Sequence, residues 1–133
     1  MKRVLVTNLI MLRDLETYQP QMEALGIELV PHPVQQFLTE EELLPIIGEF
    51  DGVIAGDDQY TERVLKAGSP RLKVISKWGV GLDAIDLTAA EKLGIQVYNS
   101  PGAFSESVSE VAICYMLMLT RKVHIIDQAV RGG

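Results

Sequence analysis

The segment KWGVGLDAID, residues 77–86, holds the residue types best suited to ligand chemistry in this chain. Gly79 and Gly81 flank Val80, and glycines let the backbone turn sharply at the end of a strand. Consecutive backbone N–H groups in such a turn can point one way and bind an anion. The spacing therefore predicts a nest for a small carboxylate. A plain strand-to-helix turn stays open as the alternative.

Four neighbours of these glycines have roles that the sequence leaves open. Lys77 is either a ligand clamp or a solvated lysine, and Trp78 either walls a pocket or packs in the core. Asp83 or Asp86 would cap the following helix, because a carboxylate accepts from the free N–H groups of a first helical turn.

The elements that must position this loop follow from the apolar pattern. The runs VLV, GVIA and KVIS lack the alternation of a half-buried strand, which is typical of strands with helices on both faces. Predicted strands cover residues 2–7, 27–30, 52–55, 72–76 and 95–98, and predicted helices cover 14–25, 39–49, 61–67 and 86–93. Right-handed crossovers then give an α/β fold: a flavodoxin-like parallel five-stranded sheet of order 2-1-3-4-5, with helices on both faces.

The last part of the chain departs from this alternation. Ser107 and Glu110 form a predicted capping box that opens one long C-terminal helix, ending near Val130. Its first half is apolar nearly all round, which predicts burial on most sides and a buried thiol at Cys114, the lone cysteine. If no sheet covers this helix, we expect a homodimer or larger assembly through residues 105–130.

Composition bounds the remaining function classes. The 133 residues fit one compact domain, and the net charge of −6 is spread along the chain, so we expect neither nucleic acid nor a membrane as partner. The basic start is interpreted as the first strand rather than a signal peptide, because Asn8 and Arg13 interrupt the apolar run. The single cysteine favours a reducing compartment, hence a cytoplasmic protein, and no metal site is predicted.

The string ISKWGVGLDAIDLTAAEKLGIQVYNSPGAFSESVSEVA is similar to the D-isomer-specific 2-hydroxyacid dehydrogenase family, of the phosphoglycerate-dehydrogenase type. That family has a G-x-G-x-D-x-I-D loop, a short helix ending in Gly, a strand, an Asn-Thr-Pro turn and Val-Ala-Glu opening a long helix. The resemblance implies that Val80 and Gly81 donate backbone N–H groups to the substrate carboxylate while Gly79 makes room. The substrate-binding positions carried over from the family are Ala55, Gly56, Lys77, Trp78, Gly79, Val80 and Gly81.

The same resemblance implies a domain division. Residues 1–99 would form the substrate-side domain, and residues 100–133 the hinge and first long helix of an NAD-binding domain, with Val108 near the nicotinamide. NAD is the implied cofactor of the parent protein, but the dinucleotide fingerprint G-x-G-x-x-G appears nowhere in the chain. The family's catalytic Arg, Glu and His are implied beyond Gly133, while His32 and His124 are interpreted as surface or packing residues.

We therefore expect an N-terminal part of an NAD-dependent enzyme that interconverts a small D-2-hydroxy acid and its 2-oxo acid. Such a part would contain no catalytic residue, bind NAD weakly and be inactive alone. The alternative is a non-enzymatic module of flavodoxin-like fold that binds small carboxylates or regulates. An FMN carrier and a phosphorelay receiver are disfavoured, because NLIMLRD after the first strand lacks both a Ser/Thr/Gly-rich phosphate loop and an acidic pair.

Departures from the family pattern bear on the substrate. Lys77 and Ala55 stand where phosphoglycerate-type members tend to carry Arg, and Lys lacks the bidentate fork of Arg. Asp57 and Asp58 come next along the chain, where they either repel a second anionic group or serve ordinary turn chemistry. These residues count against a phosphorylated substrate.

Overall fold

A computed structural model describes all residues of the chain, Met1–Gly133. The chain divides into two compact units, Met1–Pro101 and Gly102–Gly133. The assignment of the second unit to an NAD-binding domain stays a prediction.

The first unit is built on one parallel sheet. Its strands are β1 (Lys2–Val6), β2 (Ile27–Pro31), β3 (Gly52–Ala55), β4 (Val74–Lys77) and β5 (Gln96–Tyr98). They lie in the order β2-β1-β3-β4-β5, which confirms the predicted α/β fold and strand order. Val6 pairs with Ile54 and Ala55 pairs with Lys77, so β1, β3 and β4 end at the same edge of the sheet.

Helices cover both faces because successive strand residues point to opposite sides. The helices are α1 (Leu9–Arg13), α2 (Leu15–Ala24), α3 (Glu40–Leu43), α4 (Glu62–Gly68) and α5 (Leu87–Lys92). Leu5 packs in the larger apolar cluster, with Leu43 of α3, Leu65 of α4 and Ala89 of α5. The next residue, Val6, packs in the smaller cluster on the other face, against residues of α1 and α2.

The region predicted as one helix over residues 39–49 is shorter and irregular. A capping box of Thr39 and Glu42 opens this region, but α3 lasts a single turn and a 3₁₀ turn follows at Ile47–Glu49. Pro45 lies between the two turns, and proline has no N–H for the bond that would continue an α-helix. The segment before the predicted helix 14–25 also folds, as α1, because the Asn8 side chain accepts from the N–H groups of Ile10 and Met11.

The second unit consists of two helices, α6 (Ser105–Arg121) and α7 (Val123–Gly132). The predicted long C-terminal helix is present as α6, but its predicted opening by a capping box at Ser107 and its extension to about Val130 are wrong. Ser107 lies inside α6, and Lys122 interrupts the helix with a φ of 53°. A left-handed residue cannot continue a right-handed helix, so the chain changes direction there.

The apolar surface of the second unit is exposed. Cys114 is exposed, so the prediction of a buried thiol is wrong, and apolar side chains such as Val111, Leu119 and Ile126 are at least half exposed. Two helices joined by one residue cannot cover an apolar surface that runs nearly all round one of them. None of the helices has the length and apolar character needed to span a membrane.

Candidate functional site

The loop that follows β4, residues 78–81, is held at its backbone. The Trp78 N–H donates to the Ala55 carbonyl at 2.9 Å, which fixes the loop against the end of β3. Gly79 has a φ of +136°, a conformation that residues with a Cβ rarely adopt. The sequence pattern had predicted a sharp turn at these glycines, and Gly79 is the residue that makes it.

Two hydrogen bonds from the chain after β5 orient this 78–81 loop. The Ser100 N–H donates to the Gly79 carbonyl at 2.8 Å, and Asn99 Nδ2 donates to the Val80 carbonyl at 2.7 Å. The C=O and N–H of a trans peptide point in opposite directions. Because the Gly79 and Val80 carbonyls face residues 99 and 100, the N–H groups of Val80 and Gly81 point away from those residues.

These N–H groups are unpaired. The backbone N–H groups of Gly79, Val80 and Gly81 donate to no group of the protein. Val80 is 43% exposed and Trp78 is 36% exposed, so the loop lies open to solvent. Successive N–H donors in this arrangement can bind an anion without any side-chain charge. The helix cap is supplied by Asp86, whose carboxylate accepts from the Ala89 N–H at 2.9 Å.

Lys77 is the last residue of β4, directly before the 78–81 loop, and its ammonium group is already paired. Its side chain is 8% exposed, and Nζ donates to the Gly56 carbonyl at 2.7 Å and to Asp57 Oδ1 at 2.5 Å. Asp57 is 75% exposed, so its carboxylate lies at the protein surface while the ammonium does not. The ion pair fastens the end of β4 to the loop that follows β3.

That neighbouring loop, residues 56–60, is built around a buried carboxylate. Asp58 is fully buried and accepts from Thr7 Oγ1 at 2.5 Å, from the Leu38 N–H at 2.8 Å and from the Gly56 N–H at 3.1 Å. The Tyr60 hydroxyl donates to the same carboxylate at 3.4 Å. Asp58 thereby joins β1, the segment before α3 and the end of β3.

Sequence reasoning missed this role, because it treated Asp57 and Asp58 alike, either as turn residues or as a pair that repels a second anionic group. The structure separates them: Asp57 is exposed and pairs with a lysine, whereas Asp58 is buried among donors. The signal available in the sequence was Thr7, a polar residue that ends an apolar strand beside β3 in the predicted strand order.

Burial also changes the ionisation of Tyr60. Its side chain is fully buried, and burial together with the adjacent charge of Asp58 raises the pKa of Tyr60 well above its ordinary value of 10.0. The neutral phenol is therefore retained, and it donates its hydrogen bond to Asp58.

Ala55 and Gly56 contribute backbone rather than side chains at this edge. Ala55 is buried in the larger cluster, and its carbonyl is taken by Trp78. A Cβ at Gly56 would lie 3.3 Å from the Thr7 carbonyl oxygen, so the absence of a side chain lets the two strand ends approach. The remaining candidate, Val108, lies on α6 in the second unit and is 64% exposed.

A cavity of about 250 Å³ lies between the 56–60 loop and the 78–81 loop. Its lining includes the ionisable residues Asp57, Lys77 and Asp83, together with Gly81 of the donor loop. A larger and more open cavity of about 690 Å³ shares Asp57 and Asp83 and continues towards Glu40 and Glu41.

The open parallel sheet, the exposed donor loop and the adjoining cavity define an α/β protein with a candidate ligand site at the carboxyl ends of its strands, where such sheets bind ligands. Residues 4–127 match the model of the family described as D-isomer specific 2-hydroxyacid dehydrogenase, catalytic domain. The chain belongs to this family.

Three known proteins illustrate the relationship. D-3-phosphoglycerate dehydrogenase of Synechocystis is 32% identical over 115 residues, covering 83% of this chain and 21% of the relative. Hydroxypyruvate reductase of Thermotoga maritima is 39% identical over 99 residues, covering 74% of this chain and 32% of the relative. The crystal structure of cofactor (NAD+)-bound 3-phosphoglycerate dehydrogenase in Entamoeba histolytica aligns with a TM-score of 0.71 at 27% identity, over 88% of this chain and 38% of that one. The chain thus spans a fifth to two fifths of the length of these proteins.

Proposed function

We propose that this chain binds the carboxylate of a small 2-hydroxy or 2-oxo acid on the 78–81 loop, as the substrate-side part of an NAD-dependent D-2-hydroxyacid dehydrogenase. The observation that carries the proposal is the pair of unpaired, outward-directed N–H groups of Val80 and Gly81, at the carboxyl end of β4. Family membership gives the reaction class, oxidation and reduction at a CH–OH carbon.

The residues divide the work of binding. Two backbone donors hold the carboxylate, and the turn at Gly79 leaves room for it to approach. Trp78, partly exposed at the start of the loop, would wall the bound acid on its apolar side. Lys77 adds little net charge because Asp57 pairs with it. We therefore propose that Lys77 holds the start of the 78–81 loop against the 56–60 loop.

The cofactor of the proposed parent enzyme is NAD, but residues of this chain do not fit a dinucleotide. The chain has no G-x-G-x-x-G turn to receive a pyrophosphate, and Val108 offers an apolar side chain without a hydrogen-bonding group. We therefore assign no catalytic residue to the chain and expect it to be inactive alone. Oxidation of NADH with pyruvate, hydroxypyruvate or glyoxylate above background would contradict this.

We also propose that the protein is cytoplasmic and that it forms a homodimer or larger assembly through α6 and α7. The exposed apolar residues of these two helices support the assembly, since contiguous apolar surface marks interaction sites. Light scattering at micromolar concentration tests this, and a monomer would count against it.

The carboxylate site is tested by the fluorescence of Trp78, the only tryptophan of the chain. The purified 133-residue chain is titrated with lactate, glycerate and glyoxylate to millimolar concentrations, and we expect a saturable change in emission. Lactamide is the matched control, because it keeps the shape of lactate and removes the anionic group. A flat response to all three acids, or an equal response to lactamide, would overturn the proposal.

A further inference from the structure

The two faces of the sheet differ in how far helices cover them. On one face Leu5, Val53 and Ile75 lie side by side in β1, β3 and β4, and each is at most 1% exposed. The row ends at Val97 of β5, which packs against the same apolar cluster. Residues of α3, α4 and α5 complete that cluster, so helices cover this face as far as β5.

The other face is covered over β2 and β1 but not over β4 and β5. Along one row of paired residues Val6 is buried, Ile54 is half-buried, Ser76 is exposed and Tyr98 is 55% exposed. The apolar cluster on this face joins α1 and α2 to β1, β2 and Ile54, and it includes no residue of β4 or β5. Parallel strands normally have helices on both faces, so part of this sheet lacks its second layer.

We call this part the uncovered half of the sheet. None of its residues carries a charge; they are Gly52, Ile54, Val74, Ser76, Gln96 and Tyr98. A groove of about 270 Å³ lies at its amino end, and Gly52 and Val74 form part of the groove wall. Uncharged surface of this kind, where a covering layer is missing, is typical of an interaction site.

α7 has an apolar stripe without a partner. Val123, Ile126 and Val130 recur at spacings of three and four residues, which places them on one side of the helix. These three side chains are between 48% and 77% exposed. Asp127 and Arg131 form an ion pair with each other and leave the stripe uncharged. α7 is therefore an amphipathic helix whose apolar side lies in solvent.

We propose that the uncovered half of the sheet is a docking surface for α7 of a second copy of this chain. The two copies exchange α7 reciprocally, so that each supplies the missing layer of the other's sheet. This deepens the assembly proposed above through α6 and α7, and it rests on that proposal. Each copy contributes one uncovered half and one α7, so a two-fold pair satisfies all four surfaces and leaves none to recruit a third copy.

The two surfaces agree in size and in charge. The 10 residues of α7 make a helix about 15 Å long and about 10 Å across. Strands of three or four residues, spaced by about 4.8 Å, make the uncovered half about 13 Å long and about 14 Å wide. Neither surface carries a charge, so docking buries no unpaired charge.

The same dimensions show that α6 must belong to the interface. Covering both sheet halves removes about 600 Å² of surface from solvent, whereas stable interfaces bury at least about 1,200 Å². Exposed apolar residues of α6, such as Val111 and Leu117, supply the remainder where the α6 helices of the two copies meet. Docking of α7 thus strengthens a pair that α6 also holds.

Sedimentation equilibrium of the full chain measures the dissociation constant of the dimer. Ser76→Lys places a charge in the middle of the uncovered half without changing the buried face, and we expect it to raise that constant at least about tenfold. Thr17→Lys is the matched control, because Thr17 is an exposed residue of α2, the helix that covers the other half of this face. This variant should keep the wild-type constant.

Cross-linking identifies the helix that docks. Two chains are prepared with Cys114→Ser, one carrying Ser76→Cys and the other Ile126→Cys, so that each has a single thiol. They are mixed and treated with a short bis-maleimide, which joins them only when α7 of one copy lies on the sheet of another. We expect the mixed product, and we expect none when Thr17→Cys replaces Ser76→Cys.

The outcomes separate this inference from the proposed function. A monomeric wild-type chain, including one whose α7 covers its own sheet, would overturn the proposed assembly and this inference together. A dimer that keeps its dissociation constant in Ser76→Lys, or that gives no mixed product, would overturn docking on the sheet and leave the assembly in place. Carboxylate binding by the 78–81 loop is measured separately, by the titration of Trp78.

Discussion

Two loops leave neighbouring strands at the same edge of the sheet and treat their polar groups in opposite ways. The 56–60 loop turns them inward, where the buried Asp58 carboxylate accepts from Thr7, Leu38 and Gly56. The 78–81 loop ties its carbonyls to residues 99 and 100 and leaves its N–H groups unpaired and open to solvent. One loop satisfies its polar groups within the protein, and the other leaves donors free for the carboxylate that we propose it binds.

The difference separates support from binding. A buried polar network with every group satisfied holds a unique arrangement, because each broken bond leaves a costly unpaired group. Exposed donors cost little in water and remain available to a ligand. Lys77 joins the two, since it belongs to β4 and bonds to Gly56 and Asp57 of the other loop. We call the 56–60 loop the closed loop and the 78–81 loop the open loop. The closed loop therefore holds the open loop in position.

Removing the buried carboxylate should have the largest effect. Asp58→Ala leaves the buried Leu38 N–H without an acceptor, and leaves the Thr7 hydroxyl and the Gly56 N–H only their longer bonds to the Ile54 carbonyl and to Thr7 Oγ1. We expect a loss of about 3 kcal/mol or more in the free energy of unfolding. Urea denaturation measures it. Asp83→Ala is the control, because that exposed carboxylate has no partner, and a loss of at most about 0.5 kcal/mol is expected. Similar losses in the two variants would remove the distinction between a closed loop and an open one.

The turn of the open loop should be the next most sensitive position. Gly79→Ala forces a Cβ onto a φ of +136°, which we expect to cost about 2 kcal/mol and to abolish the response to carboxylates. Gly81→Ala is the control: its φ is not in the positive region, and the added Cβ meets Asp83 Oδ2 at an ordinary 3.5 Å. We expect that variant to unfold within about 0.5 kcal/mol of the wild-type chain. A stable Gly79→Ala that still binds lactate would show that the turn does not create the site.

The sheet could be predicted from the sequence because its determinants are local. The apolar runs around Val4, Val53 and Ile75 are of strand length, and the handedness of βα units leaves few possible strand orders. The glycines of the 78–81 loop are likewise a local signal. The break at Lys122 was not predicted, because the apolar pattern continues across it without a glycine or proline.

The contrast between Asp57 and Asp58 could not be predicted in the same way. The two residues are identical and adjacent, and their environments depend on groups that arrive from elsewhere in the chain. Asp58 is buried because Thr7 and Leu38 reach it from 51 and 20 residues away, and Asp57 is paired because Lys77 reaches it from 20 residues away. Long-range contacts of this kind are set by the fold as a whole.

Alkaline pH should act on the closed loop through Tyr60. Burial and the charge of Asp58 raise the pKa of Tyr60 in the folded chain, so its contribution to stability is complete below pH 10 and is lost as the pH rises further. We expect a loss of about 1.4 kcal/mol for each pH unit above 10, until the folded-state pKa is reached. Unfolding followed by circular dichroism between pH 8 and about 11.5 measures it. Tyr60→Phe lacks the ionisable group, and parallel curves for this variant and the wild-type chain would contradict the assignment.

The smallest effect on stability, and the sharpest on the open loop, is expected at Asn99. Asn99→Ala removes one solvent-accessible bond to the Val80 carbonyl, so unfolding should change by at most about 1 kcal/mol. The freed carbonyl no longer fixes the direction of the Gly81 N–H, and we expect carboxylate affinity to fall about fivefold in the Trp78 titration. Ser100→Ala is the matched control, because Ser100 holds the Gly79 carbonyl through its backbone N–H and its side chain is not involved. If Asn99→Ala binds lactate as the Ser100→Ala and wild-type chains do, the bond to the Val80 carbonyl does not set the direction of the Gly81 N–H and does not contribute to carboxylate binding.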